Sequence, residues 1–173
     1  MKLHTIGLKH KTDKATFHNF CDFYEEHLPK KVTRLLEIGI MDGASLRMWK
    51  EYYPDAEIIG VDISEPKNIE GVTCLKIDAT TVEIQKLGVF DIIIDDGSHM
   101  TQDQQDTFDL LYKNNLAEHG IYIMEDLHTS FMPNYTNSEK TTYEVLQESN
   151  DLDITYWSRT DNKAESFTAI IKK

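Results

Sequence analysis

The sequence predicts an open α/β domain: a mostly parallel seven-stranded sheet with helices on both faces, ending in an antiparallel hairpin. Apolar runs of strand length alternate with helical patterns between Leu35 and Met124, the signature of strands joined by helical crossovers. The run Phe90-Asp-Ile-Ile-Ile-Asp95 shows no polar alternation, as expected of a strand covered on both faces. Residues 153–158 and 166–172 are β-rich and flank a polar turn, which reads as a hairpin. With 173 residues there is room for one sizeable core, so residues 1–173 are expected to form a single domain.

The first fifteen residues read as basic and irregular, with a polar turn at Thr12-Asp13-Lys14. Phe17, Phe20, Cys21, Tyr24 and Leu28 recur at helical spacing, predicting an amphipathic helix over 16–28 with Thr16 as N-cap. Leu35-Leu-Glu37-Ile-Gly39 is a short strand running into a glycine turn, and Gly43 opens a helix with Leu46 and Trp49 on one face. Ile58-Ile-Gly-Val61 is a second strand ending at Asp62, and 72–77 a third ending at Asp78-Ala79. Residues 80–87 suggest a short helix stopped by Gly88. After the 90–95 strand, a polar helix is expected over 101–116, closed by His119-Gly120, with the fifth strand at 121–124. The segment 127–138 is long and polar for a connection, and a helix over about 139–148 precedes the hairpin.

Strand, glycine turn, helix, strand, acid is the layout of a nucleoside-binding βαβ unit. Here the turn reads E-x-G-x-x-x-G rather than G-x-G-x-x-G. Glu37 would repel a pyrophosphate but suits a ligand carrying an ammonium or sulfonium, so S-adenosylmethionine fits better than a dinucleotide. Asp62, closing the second strand, can accept both hydrogen bonds of a ribose diol. Right-handed crossovers place ligands at the C-terminal strand ends, and Glu37, Asp62, Asp78, Asp95-Asp96 and Glu125-Asp126 all fall there. Carboxylates packed on one rim repel unless a cation sits among them, and an all-oxygen set suits a hard divalent ion such as Mg2+. One of Asp95 and Asp96 is read as facing the cofactor, which leaves Asp96, Glu125 and Asp126 for the metal. The alternative is a set of ordinary solvated acids at helix N-termini. His99, three residues after Asp96, can take a proton from a bound hydroxyl near neutral pH. His128 is a second candidate for that role, the alternative being that it orients substrate or ties down its loop. The remaining histidines, His4, His10, His18, His27 and His119, read as surface or helix residues.

These motifs carry a resemblance. Glu-Ile-Gly-x-x-x-Gly-x-Ser-x-x-x-Trp, then Gly-Val-Asp, Ile-Asp-Asp-Gly-Ser-His and Glu-Asp-Leu-His-Thr-Ser resemble the metal-dependent sugar O-methyltransferases of macrolide biosynthesis, over about residues 12–131. The resemblance implies a Rossmann-like class I methyltransferase fold, S-adenosylmethionine and Mg2+. It implies Asp96, Glu125 and Asp126 as metal ligands and His99 as general base. Thr12 and Lys14 lie in the segment that closes over the cofactor in this family, so residues 1–28 are expected to be a lid on a core at 32–173. Glu37, Gly39, Gly43, Ser45, Asp62, Asp78, Ala79 and Asp95 would hold the cofactor, with Asp62 at the ribose and Asp78-Ala79 beside adenine. His128, Phe131 and Tyr135 are assigned to the substrate side; by composition the aromatic residues with Met132 read as a water-excluding lid, with packing into the core the equal alternative. Met41 stands where generic methyltransferases have a middle glycine. The macrolide enzymes carry a large N-terminal auxiliary domain with no counterpart in this sequence. Acceptor recognition is therefore expected from residues 1–28, the 127–138 loop or a partner subunit of a homo-oligomer.

The expected activity is O-methylation of a hydroxyl on a small polyol, a sugar or glycoside. A catechol-type metal-dependent methyltransferase and a non-catalytic cofactor-binding module are the rivals; a nicotinamide-dependent oxidoreductase is disfavoured by the turn and Glu37. A net charge of −12 argues against non-specific nucleic-acid binding. No apolar run approaches the roughly twenty residues needed to span a bilayer, and the N-terminus lacks the apolar core of a secretion signal. Cys21 and Cys74 lack metal-type spacing and read as two unlinked buried thiols. A cytoplasmic location is expected.

Overall fold

A computed structural model describes residues 2–160 and 165–173. Its strands are β1 (Arg34–Ile38), β2 (Glu57–Asp62), β3 (Val72–Lys76), β4 (Phe90–Asp95), β5 (Leu116–Met124), β6 (Asp153–Ser158) and β7 (Phe167–Lys172). They form one sheet in the order β3-β2-β1-β4-β5-β7-β6. The pairs from β3 to β5 are parallel, and β7 runs antiparallel to both β5 and β6. The order reverses between β1 and β4, which opens a crevice at their C-terminal ends.

The central strands feed two cores. Leu35, Ile92 and Ile94 point to one face, where they meet Phe20, Tyr24, Leu46 and Trp49. Leu36, Ile38 and Ile93 point to the other, against Leu111, Tyr122, Leu127 and Leu146. Covering on both sides is the reason β4 could be apolar throughout.

The N-terminal segment differs from its sequence reading. Residues expected to be irregular form α1 (Leu3–His10), with Leu3 and Ile6 buried, and α2 (Asp13–Thr16). The helix expected over 16–28 is confined to α3 (Cys21–His27), and Thr16 ends α2 rather than capping α3. The break has local causes: Asn19 takes φ 62°, while the His18 and Phe20 amides donate back to the Asp13 and Lys14 carbonyls at 2.8 Å each.

Further along, α4 (Ala44–Tyr52) follows the glycine turn as expected. The 80–87 helix contracts to a 3-10 turn at Ile84–Leu87, ended by Gly88 at φ 89°. The polar helix α5 (Thr101–Leu111) stops before 116, and β5 begins at Leu116, so His119-Gly120 lies inside a strand. Buried Asn115 makes the junction: its amide donates to the Leu111 carbonyl, its carbonyl accepts from Phe90, and its side chain donates to Gln85 and Gly88. The 127–138 segment opens with a 3-10 turn at Leu127–Phe131. The last helix, α6 (Thr142–Glu148), begins later than expected because Thr141 and Glu144 form a capping box. Cys21 is buried but Cys74 only half-buried, which corrects the reading of two buried thiols. Most of the polar turn between β6 and β7 lies outside the described residues.

Candidate functional site

The crevice is built first by backbone. Gly39 leaves β1 at φ 92°, and a Cβ there would lie 2.0 Å from the Asp96 carbonyl oxygen. The Asp96 amide donates to the Ile38 carbonyl at 3.0 Å, so the exits of β1 and β4 cross in near contact. Only glycine permits that approach. Asp62 then ties the turn from the side: its carboxylate accepts from the Ile40 amide at 2.9 Å and the Ser64 amide at 2.8 Å. Burial would raise its pKa, but these backbone donors prevail and hold it below the usual value.

Two cavities meet at this turn. One of about 360 Å3 is bordered by Thr12, Met41, Ser45, Asp96, His99 and Asp126, the other of about 450 Å3 by Asp78, Ala79, Asp95, Gln104 and Thr107. Gly39, Asp62 and Gly97 border both. Asp95 faces the second cavity, and its carboxylate accepts from the buried Tyr122 hydroxyl at 3.0 Å. Burial pushes Asp95 up to about 6 despite that bond. Gly43, at φ 79°, borders neither cavity; a Cβ there would meet the Ile69 side chain at 2.3 Å.

Behind the cavities sits an ion cluster that fixes Lys14. This lysine is fully buried, with Nζ 2.5 Å from Asp96 Oδ2, 2.9 Å from Glu125 Oε2 and 3.4 Å from Glu37 Oε1. Burial disfavours its ammonium, but Asp96, Glu125 and Glu37 outweigh burial and raise its pKa well above the ordinary value. One ammonium cannot balance three carboxylates. Burial accordingly pushes Glu37 up to about 7, even with Lys14 opposite and Ser45 Oγ donating to it at 2.9 Å.

In front of Lys14, Asp96, His99 and Asp126 each offer one ligand atom within 4.8 Å of the others. His99 Nε2 lies 3.4 Å from Asp126 Oδ2 and 3.9 Å from Asp96 Oδ1. Both His99 (φ 60°) and Asp126 (φ 54°) are left-handed, a costly conformation for residues with a Cβ. Thr129 Oγ1 links the pair, its one hydroxyl proton shared between their carbonyls at 3.0 and 2.8 Å. Asp126 Oδ1 is buried without a hydrogen-bond partner. Two carboxylates, one of them with a buried oxygen lacking a hydrogen-bond partner, fit a hard divalent cation, with the imidazole beside them.

The other predicted residues divide. Glu125 turns inward: Oε2 pairs with Lys14 and Oε1 is buried without a partner, so it stands outside the three-residue cluster. His128 Nδ1 lies 3.7 Å from Asp126 Oδ1. Its pKa is lowered, chiefly by burial. Phe131 is half exposed, its ring 5.4 Å from that of Tyr143, and the Tyr135 carbonyl accepts from the Thr101 amide at 3.0 Å. Neither borders the two cavities.

One site residue was missed. His18, read as a surface or helix residue, is buried, with Nδ1 2.8 Å from Ser166 Oγ and 3.8 Å from Asp126 Oδ1. Its partners lie over a hundred residues away, so no local spacing could have revealed it.

Comparison with known proteins agrees with this architecture. No family model matches the chain. It is 32% identical over 151 residues to the L-olivosyl-oleandolide 3-O-methyltransferase of Streptomyces antibioticus, covering 77% of this chain and 39% of that one. It is 30% identical over 151 residues to the mycinamicin VI 2''-O-methyltransferase of Micromonospora griseorubida, covering 77% and 38%. The chain thus spans less than half the length of these relatives. Among solved structures, the MycE methyltransferase of the mycinamycin pathway, in complex with Mg, SAH and mycinamycin VI, superimposes with a TM-score of 0.81 at 23% identity, over the whole of this chain and 53% of that one. By its strand order and its glycine turn the chain has the fold of the MycE methyltransferase, and in sequence it is similar to the macrolide and sugar O-methyltransferases.

Proposed function

We propose that this chain catalyses transfer of a methyl group from S-adenosylmethionine to a hydroxyl of a small polyol, a sugar or glycoside, with Mg2+ at the Asp96–Asp126 cluster. The supporting observation is the meeting of two features at the β1–β4 switch point. The turn at Gly39 and Asp62 opens two joined cavities, and Asp96, His99 and Asp126 converge on the rim of one of them. The relatives named above act on sugar-bearing natural products, which directs the choice of acceptor.

In this reading Asp62, Asp78 and Ala79 receive the nucleoside, with Gly39 and Gly43 allowing close backbone approach. Glu37 stands behind the turn between Lys14 and Ser45, and Thr12 and Ser45 border the side nearer His99. Asp96 and Asp126 hold the cation, with Glu125 in reserve through its unpaired oxygen. Bound there, the cofactor supplies the methyl group and the cation makes the acceptor hydroxyl more acidic. His99 faces the same rim and takes the hydroxyl proton as the oxygen attacks. Thr129 ties the backbones of His99 and Asp126 together and so helps to set their side chains beforehand. His128 and the 127–138 segment, with residues 1–28, shape the acceptor side.

The test is calorimetric titration of S-adenosylhomocysteine, with and without Mg2+, into wild type and an Asp96→Asn/Asp126→Asn double variant, then a glycoside methylation screen. The expected result is cofactor binding to both proteins, a Mg2+ signal in wild type only, and methyl transfer by wild type only. Wild type that binds the cofactor but never Mg2+ would show the acids to be a solvated rim and end the metal-dependent mechanism. Binding without turnover across the panel would favour a non-catalytic module.

A further inference from the structure

We infer that Lys14 is a positioning residue for the cation site: by pairing with one oxygen of Asp96 and one of Glu125 it leaves the other oxygen of each free for a divalent cation. This rests on the metal-dependent reading above. Lys14 Nζ takes Asp96 Oδ2 and Glu125 Oε2, at 2.5 and 2.9 Å. On the far side of the same carboxylates, Asp96 Oδ1 faces His99, and Glu125 Oε1 is buried with no hydrogen-bond partner.

The arrangement also joins parts distant in sequence. Lys14 belongs to α2, while Asp96 and Glu125 leave the ends of β4 and β5. α2 has four residues, and the buried ion cluster ties it to the ends of β4 and β5. Docking of the N-terminal segment and alignment of the carboxylates are then one event. Linkage requires the converse: a cation that fixes Asp96 and Glu125 must also stabilise the docked position of α2.

The two accounts of Lys14 differ in sign. If it acts only through its charge, removing a cation from beside the site leaves the carboxylates more attractive to a second cation, and divalent affinity rises. If it positions them, affinity falls although the site has become more negative. Second-sphere partners of metal ligands are worth about 10- to 100-fold in affinity.

The experiment titrates Mn2+ alone, followed by electron paramagnetic resonance, into wild type and Lys14→Met, a near-isosteric neutral change. Circular dichroism establishes that the variant is folded at the working temperature. The expected result is Mn2+ binding about 10- to 100-fold weaker in the variant. Equal or tighter binding overturns the inference and leaves the metal reading intact. Wild type that binds no Mn2+ overturns both. A second measurement needs no variant: amide hydrogen exchange of wild type with and without Mn2+. Slower exchange across residues 13–16 on Mn2+ addition supports the coupling, and unchanged exchange there overturns it.

Discussion

Gly39 and Asp96 approach so closely that a methyl group on the first would stand 2.0 Å from the carbonyl oxygen of the second. The turn after β1 and the acid-bearing turn after β4 are therefore held as one unit. Gly39→Ala must displace the Asp96 backbone and adopt φ 92° with a Cβ. A destabilisation of about 1–3 kcal/mol follows from the backbone conformation alone. Chemical denaturation measures it, and calorimetry should show loss of both cofactor and Mg2+ binding. Loss of one ligand without the other would mean the two turns are independent.

His99 combines a strained backbone with a proposed proton-accepting side chain, and the two can be separated. Asparagine tolerates the left-handed region better than most residues but is no base at neutral pH. His99→Asn should keep wild-type stability and S-adenosylhomocysteine affinity while kcat falls about 10^2- to 10^4-fold with KM little changed. A kcat within a few-fold of wild type would favour a catechol-type mechanism, in which the acceptor needs no histidine base.

Glu37 predicts a pH dependence of stability. Burial raises its folded-state pKa from 4.5 to about 7, with Lys14 and Ser45 pulling only part of the way back. Between those values the native state holds a proton that the unfolded chain has released, so stability falls as pH rises. Relative to Glu37→Gln, wild type should lose about 2–3 kcal/mol between pH 5 and pH 8. Urea melts of both proteins at the two pH values measure the difference, and parallel behaviour would show that Glu37 titrates normally.

Tyr122 donates to Asp95 inside the sheet, and both residues are buried. Tyr122→Phe keeps the ring, which packs edge-on against Phe108 at 5.0 Å, and removes only the donor. A loss of about 1–3 kcal/mol is expected from leaving the carboxylate short of a partner. Thermal unfolding provides the check, and no loss would mean that the Tyr122–Asp95 hydrogen bond makes no net contribution to stability.

How much of this could be read from the chain depends on how far apart the partners lie. The strand–turn–helix of residues 35–52, the acids at the strand ends and the apolar β4 strand are local patterns, and the structure has them where spacing put them. Adjacency of β4 and β5 also followed, because consecutive strands joined by a right-handed crossover commonly pair. Element ends were less legible. Asn115 stops α5 and starts β5 through bonds to Gln85, Gly88 and Phe90, none of which the helical pattern of 101–116 contains.

The sequence by itself determined the class of fold, the turn that suits a sulfonium-bearing nucleoside, and the gathering of carboxylates on one rim, because periodicity and strand-end chemistry are properties of short stretches. Only the tertiary structure decided what those carboxylates face. Lys14 reaches Asp96 and Glu125 across 82 and 111 residues, and His18 reaches Ser166 across 148. Such pairs are selected by the cost of burying a charge or a polar group without a partner, and that cost exists only once the chain has closed around them.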